Sequence, residues 1–355
     1  MHQSKAYFCR LIRILQTFSK DGMMKIDFSK IDINSKYIYS LDMKVLKILL
    51  KDKTTKKNII WATDEYAYLG TGYAASDEIY PSDIEGITSI IMPRVVKSKE
   101  AQTTRIRGMA EVFTPSWVCN KQNNLIDSAW FGRENVFNVE TDNGWQTSAG
   151  KILFSETKGK TWQDYVKANR LEITCGEAPY LASRYDTVSG EIIPIQNRIG
   201  LLDRKLRVVS ENTNSEPDWY FWAKKAFQST YGYDLQGDNV LLVRENLLFT
   251  FIDYYENQFG VPPIIEYLTD IAKILAWNIF QMDGIKFVIP NSCKNTTVQT
   301  ETLFGIESTE TRCPGCQKND PSKHNGIYCR TYDWAANESI EFYSSFIRGK
   351  QNGKL

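Results

Sequence analysis

The 355-residue chain has no apolar run near the roughly 20 residues that a membrane-spanning helix needs, so neither a transmembrane segment nor a membrane partner is expected. It has no excess charge of either sign. Lys and Arg number 43 against 42 Asp and Glu, for a formal net charge of +1 and a pI of about 7.5. Without a global positive field, nucleic-acid contact has to use a local basic patch. That weighs against a non-specific nucleic-acid coat and leaves room for an enzyme with a narrow basic groove. Low-complexity tracts and repeats of fixed period are also missing, which leaves out repeat architectures. The first 18 residues mix Lys5, Arg10 and Arg13 with short apolar pieces. They lack an apolar core followed by a small-residue cleavage site, so no secretory leader is read and a cytoplasmic location is expected.

With 42% hydrophobic residues the composition is that of an ordinary globular chain, and the length suggests about two domains. Met23-Met24-Lys25 offers a second start just before regular sequence, and residues 1–24 are read as an N-terminal extension. Residues 25–100 read as a mixed α/β region, with a strand at 57–63, a loop at 69–81 and a buried β-branched strand at 87–96. Residues 101–290 alternate strand and helix. Pro115 stops one element, Thr114 or Ser116 caps the next helix, and Val118, Leu125, Ile126 and Trp130 give it an apolar face. A strand at 171–174 runs into a tight glycine turn at 175–179. Short β-like pieces at 187–215 suggest an inserted hairpin, followed by a helix at 217–230 and a strand at 231–235. A long helix at 239–257 is capped by Asp238 and ended by Gly260, and another starts near Pro263. This alternation argues for the α/β class.

Seven cysteines, an odd number, are present: Cys9, Cys119, Cys175, Cys293, Cys313, Cys316 and Cys329. Four are scattered and three are clustered with a histidine, which reads as reduced thiols plus a metal site and not as a disulfide framework. In Cys313-Pro314-Gly315-Cys316 two thiolates two residues apart form a knuckle aimed at one ion, and His324 and Cys329 have the spacing of a second ligand pair. Cys313, Cys316, His324 and Cys329 are therefore expected to bind a structural zinc ion in the C-terminal region, 291–355. Cys293 stands as an alternative to His324. Lys318, Lys323 and Arg330 lie beside this knuckle.

Glu111-Val112-Phe113-Thr114-Pro115, then Leu171-Glu172-Ile173-Thr174-Cys175-Gly176-Glu177-Ala178, then Tyr231-Gly232-Tyr233-Asp234, then Asn278-Ile279-Phe280-Gln281-Met282-Asp283 form a series. It resembles the motif series of S-adenosylmethionine-dependent adenine-N6 DNA methyltransferases. The stretches Trp117-Val118-Cys119-Asn120 and Arg198-Ile199-Gly200-Leu201-Leu202-Asp203-Arg204 are similar to bacterial M subunits of restriction–modification systems. The resemblance spans roughly 55–335. It implies a Rossmann-like methyltransferase sheet, S-adenosylmethionine as cofactor, double-stranded DNA as substrate and a restriction or specificity subunit as partner. In its terms Phe113, Thr114 and Pro115 close over the methionine end of the cofactor. Thr174, Cys175, Gly176 and Glu177 form the turn it approaches, Asp234 accepts its ribose hydroxyls, and Asp283 accepts its adenine amino group.

One departure stands out. Enzymes of this type carry Asn/Asp/Ser-Pro-Pro-aromatic, whose polar groups hold the target amino group while the ring stacks on the flipped base. This chain has no such string; the nearest are Glu177-Ala178-Pro179-Tyr180 and Val261-Pro262-Pro263-Ile264. Tyr180 is then the aromatic candidate for the base, and the other catalytic residues are unassigned. No cysteine follows a proline, so the nucleophile of cytosine carbon methylation is missing and adenine is the expected acceptor. Two alternatives accompany this reading. One is a non-catalytic subunit with a cofactor fold that binds DNA or a restriction partner. The other is a Mg²⁺-dependent nuclease built on Asp142 and Glu156-Thr157-Lys158.

Overall fold

The computed structural model describes residues 42–84, 90–93, 95, 97, 114–154, 159–302 and 305–351. Among them the helices are α1 (Met43–Leu49), α2 (Pro81–Ile84), α3 (Ser116–Phe131), α4 (Trp162–Lys167), α5 (Leu201–Asn212), α6 (Glu216–Gln228), α7 (Gly237–Phe259), α8 (Ile265–Asn278), α9 (Pro314–Lys318) and α10 (Phe342–Gln351). The strands are β1 (Asn138–Thr141), β2 (Gly144–Thr147), β3 (Arg170–Glu172), β4 (Thr230–Asp234), β5 (Ile279–Gln281), β6 (Thr296–Thr302), β7 (Gly305–Thr311), β8 (Arg330–Asp333) and β9 (Glu338–Glu341).

β3, β4 and β5 form a parallel sheet in that order, with Arg170 opposite Thr230 and Gly232 opposite Ile279. Parallel neighbours need long crossovers; α5 and α6 join β3 to β4, and α7 and α8 join β4 to β5. The other three sheets are antiparallel pairs, β1–β2, β6–β7 and β8–β9. The α/β class expected from the sequence is present, with a parallel sheet of three described strands.

The crossover helices follow their local signals only in part: α7 starts at Gly237 after Gln236, so Asp238 lies in its first turn and does not cap it. Ser215 caps α6 by accepting the Asp218 N–H. Gly260 ends α7 at φ 69°, a left-handed position that suits glycine. α7 is buried on nearly every side, as expected for a helix that is apolar around most of its surface and lies in the middle of a core. Its Arg244 is wholly buried and survives because its guanidinium donates to the Leu49, Lys51, Ala276 and Ile279 carbonyls, tying α1 to the end of α8. Burial still pulls Arg244 down to about 10.

Several expectations change. Residues 57–63 form no strand, only isolated bridges at Asn58 and Ile60. There the Gln281 side chain takes both the N–H and the carbonyl of Ile60, replacing a ladder. Of the strand expected at 87–96, residues 87–89, 94 and 96 lie outside the described residues, and 90–93 are not a strand. The inserted hairpin is confined to the Tyr185–Ile192 bridge, and 201–212 is α5.

The face of α3 is the largest revision. Leu125 is 71% exposed, while Asn120, Asn123 and Asp127 are buried. Arg204 of α5, which is 1% exposed, donates to Asp127 Oδ2 at 2.6 Å and to the side-chain oxygens of Asn120 and Asn124 at 2.8 Å each, while the Asn123 amide donates to the Tyr180 and Ile199 carbonyls at 3.0 Å each. Tyr165 adds a bond to Asp127 Oδ1 at 2.9 Å. The seam is a buried polar network in a low-dielectric setting, in which Arg204 Nε and Asn123 Oδ1 have no hydrogen-bond partner among the described residues. The helix also takes its N-terminal support from elsewhere: neither Thr114 nor Ser116 caps it, and the Ser116 N–H donates to Asp186 at 2.6 Å.

Candidate functional site

The glycine turn leaves the carboxyl end of β3 under strain. Thr174, Gly176 and Ala178 have φ of 45°, 54° and 59°. For a β-branched threonine that is a rare conformation, and such strain collects at functional sites. A Cβ on Gly176 would meet nothing within 4 Å, so the bare backbone faces open space. Asp234, at the carboxyl end of β4, holds this turn. Its Oδ2 accepts the Gly176 N–H at 2.9 Å, and its Oδ1 accepts the Gln236 N–H at 3.0 Å and the Asn239 amide at 3.3 Å. Burial raises the Asp234 carboxyl to about 6, against the pull of those donors. Below the turn, Glu177 accepts the Tyr185 hydroxyl at 2.6 Å, and its carbonyl accepts the Asn246 amide at 3.2 Å. The Cys175 thiol is buried and pushed well up by that burial.

Asp283 follows β5, the third parallel strand. The preceding Met282 N–H donates to the Asp234 carbonyl at 2.9 Å. The Asp283 Oδ1 accepts the Ile285 and Lys286 N–H groups at 3.1 Å each, and Lys286 Nζ lies 2.9 Å from its Oδ2. Gly176, Asp234 and Asp283, distant in sequence, thus meet at the carboxyl edge of one parallel sheet, where open α/β sheets bind ligands.

Thr114 and Pro115 lead into α3, with Thr114 beside Tyr180 and Thr187, and Phe113 lies outside the described residues. Tyr180 is half-buried with its hydroxyl near Thr114 and Cys119; burial first, then the Cys119 sulfur, raises it. The Thr114 carbonyl also accepts the Thr187 hydroxyl at 3.2 Å. The nuclease alternative gains no geometry: Asp142 sits in the exposed turn between β1 and β2, and Glu156, Thr157 and Lys158 lie outside the described residues.

The second site is a cluster of Cys293, Cys313, Cys316 and His324, whose ligand atoms all lie within 4.8 Å of one another and which could hold a metal such as zinc. His324 Nδ1 lies 3.5 Å from Cys293 Sγ and 3.6 Å from both Cys313 Sγ and Cys316 Sγ. Bond lengths of about 2.3 Å to sulfur and 2.0–2.1 Å to nitrogen give tetrahedral N···S edges of about 3.6 Å. The cluster therefore has the dimensions of a four-coordinate site with no open position.

Two glycines make room for it. A Cβ on Gly315 would come 2.6 Å from His324 N and Nδ1, and one on Gly326 would come 3.0 Å from Cys293 Sγ. The Asn325 N–H donates to Cys313 Sγ at 3.2 Å. Although burial works against it, this bond and the Cys316 N–H lower the Cys313 thiol to about 6.

Cys329 is not in the cluster, which corrects the ligand set read from spacing. Residues 327–329 pair antiparallel with 287–289. The alternation of side chains sends the Cys329 thiol into a small core with Tyr233, Phe280, Met282 and Ile289. It is 0% exposed and donates to the Gln281 carbonyl at 3.3 Å. Burial raises it well above its ordinary value. Cys293 takes its place, His324 remains, and the sequence distance from Cys293 to the knuckle is spanned by the β6–β7 hairpin.

Sequence reasoning also missed Glu172 and Asp186. Glu172 is buried on β3 and accepts the Leu181 N–H at 3.2 Å, bracing the segment after the turn. Asp186 joins that segment to α3 through Ser116. Asp186 also accepts the Val188 and Ser189 N–H groups in a local turn, but its bond to Ser116, like the bonds of Glu172, goes to a backbone group brought in by the fold. Among the described residues, no helix is long and apolar enough to cross a membrane. The chain matches no protein-family model, no curated protein and no solved structure.

Proposed function

We propose that the chain binds S-adenosylmethionine at the carboxyl edge of its parallel sheet and serves methyl transfer to the adenine amino group of DNA in a restriction–modification system. A structural zinc ion in the Cys₃His cluster completes this reading. The observation that carries it is the strained turn at Thr174, Gly176 and Ala178, open beside Gly176 and followed on the next two strands by Asp234 and Asp283. In a doubly wound sheet such a turn lets a cofactor approach the backbone closely. Asp234 holds the turn in shape, and of its roughly four acceptor sites three are used within the protein. The remaining one is its offer to a ribose hydroxyl. The reaction needs alignment of donor and acceptor more than covalent help from the protein.

A second reading, a non-catalytic subunit that keeps the cofactor fold, is favoured by two observations. The Asn/Asp/Ser-Pro-Pro-aromatic string is missing. Tyr180, the aromatic candidate, is half-buried against Thr114 and Cys119. Calorimetric titration with S-adenosylhomocysteine comes first, and absence of binding refutes the cofactor in both readings. Incubation with labelled S-adenosylmethionine and mixed genomic DNA, followed by digestion to nucleosides, separates them. Label in N6-methyladenine supports the enzyme, label in methylcytosine refutes the adenine assignment, and binding without label supports the non-catalytic subunit.

A further inference from the structure

We infer that the Cys293, Cys313, Cys316 and His324 centre is a metal clamp on the Asp283 turn, so that loading the ion orders one corner of the sheet's carboxyl edge. The inference stands on the ladder between the two sites and does not depend on which ligand the edge binds. The turn begins where the Asp283 N–H donates to the Val288 carbonyl at 2.9 Å and the Phe287 N–H donates back to the Asp283 carbonyl at 2.7 Å. The same segment then pairs with a second one. The Ile289 N–H donates to the Ile327 carbonyl at 2.8 Å, and the Cys329 N–H to the Phe287 carbonyl at 3.0 Å.

Beyond these bonds both segments run directly into the metal ligands. On one side Ser292 precedes Cys293; on the other His324 and Asn325 precede Ile327. They are zipped by the Ile327 N–H to Ser292 Oγ at 3.0 Å, the Lys294 N–H to Asn325 Oδ1 at 3.1 Å and the Asn325 amide to the Lys294 carbonyl at 2.8 Å. An ion shared by Cys293 and His324 therefore fastens the open end of a two-segment ladder whose other end is the Asp283 turn. Cys313 and Cys316 anchor that end to the knuckle. Lys286 extends the link through space: it is paired with Asp283 and also lies in the field of the Cys316 and Cys293 sulfurs.

Without the ion, the ladder end is held by a few partly exposed hydrogen bonds, each worth only about 0.5–1.5 kcal/mol. Such segments open locally at low free energy, independently of the main core.

The test is hydrogen exchange on the full chain, zinc-loaded and again after chelation under reducing conditions, with zinc content measured in both. Removing zinc is expected to speed exchange in peptides covering 283–289 and 325–329 by at least about tenfold, while those from α7 keep their protection. Re-adding zinc ion alone should restore it. Cys293→Ser should reproduce the chelated pattern at one site, and Cys329→Ser should keep its zinc. Unchanged exchange at 283–289 after verified zinc loss overturns the inference, as does equal loss of protection throughout α7. So does a chain that contains no zinc and takes up none, or metal loss in Cys329→Ser but not in Cys293→Ser. Because the readout uses no cofactor, failure here is distinct from failure to bind S-adenosylhomocysteine.

Discussion

Replacing Glu245 by glutamine should leave the protein nearly unchanged close to pH 4.5 and make it increasingly more stable than the parent as the pH rises to about 8. Glu245 lies within α7, is 1% exposed, and its Oε1 has no hydrogen-bond partner among the described residues. Burial alone raises its carboxyl from the ordinary 4.5 to about 8. The sign follows from linkage. A carboxyl that holds its proton more tightly when folded favours the folded state fully below the unfolded value, near 4.5. That contribution is then lost as the pH climbs through about 8. Each pH unit between the two values is worth about 1.4 kcal/mol, so the loss is on the order of 4–5 kcal/mol once both are passed. Glutamine does not ionise and escapes this loss. Denaturant unfolding of both proteins from pH 5 to pH 9 measures it, with the difference between them cancelling the titration of other groups such as Asp234. The curves should lie close together near pH 5, separate progressively up to about pH 8 and run parallel beyond it, with the variant the more stable. Parallel curves across the range would refute the argument that burial governs this carboxyl.

Arg204→Met should destabilise the chain by about 3–5 kcal/mol, because it removes the 2.6 Å guanidinium partner of the buried Asp127 carboxylate and leaves it only Arg170 at 4.0 Å and the Tyr165 hydroxyl; a loss below about 1 kcal/mol in the same unfolding assay would contradict the network described for α3. Gly315→Ala should lower zinc affinity by roughly 10–100-fold, as disturbed ligand surroundings commonly do, since its Cβ would press on His324; competition with a chromophoric chelator reads this, and wild-type affinity would argue against the compact knuckle. Gly176→Val puts a β-branched residue at φ 54° and should abolish S-adenosylhomocysteine binding with α7 still protected from exchange; undiminished binding would place the ligand elsewhere. Asp234→Ala leaves the Gly176 and Gln236 N–H groups without their acceptor and should cost about 1–3 kcal/mol in stability, with thermal unfolding indistinguishable from wild type as the refuting result.

Sequence alone determined what local chemistry controls. Of the crossover helices, α6, α7 and α8 were legible from their apolar spacing and the Gly260 stop, whereas α5 was read as part of a hairpin; the glycine turn was legible from its place after a short strand, and the Cys313–Cys316 knuckle from a spacing that only one tight turn spans. Each signal works within a few residues, where the backbone geometry is nearly fixed before any distant segment arrives. What the tertiary structure decided are pairings between remote segments. Cys293 displaces Cys329 because the antiparallel pairing of 287–289 with 327–329 turns one thiol inward and brings the other beside His324. The buried face of α3 is polar because Arg204, on another helix, supplies the charge that lets Asp127 leave water. Asp234 reads in sequence as an acid at a strand end that meets a cofactor, yet in space it is also the acceptor for Gly176 in the turn after the neighbouring strand. In all three cases the residue type was visible but its partner was not. Burial in a low dielectric is tolerable only once that partner is in place.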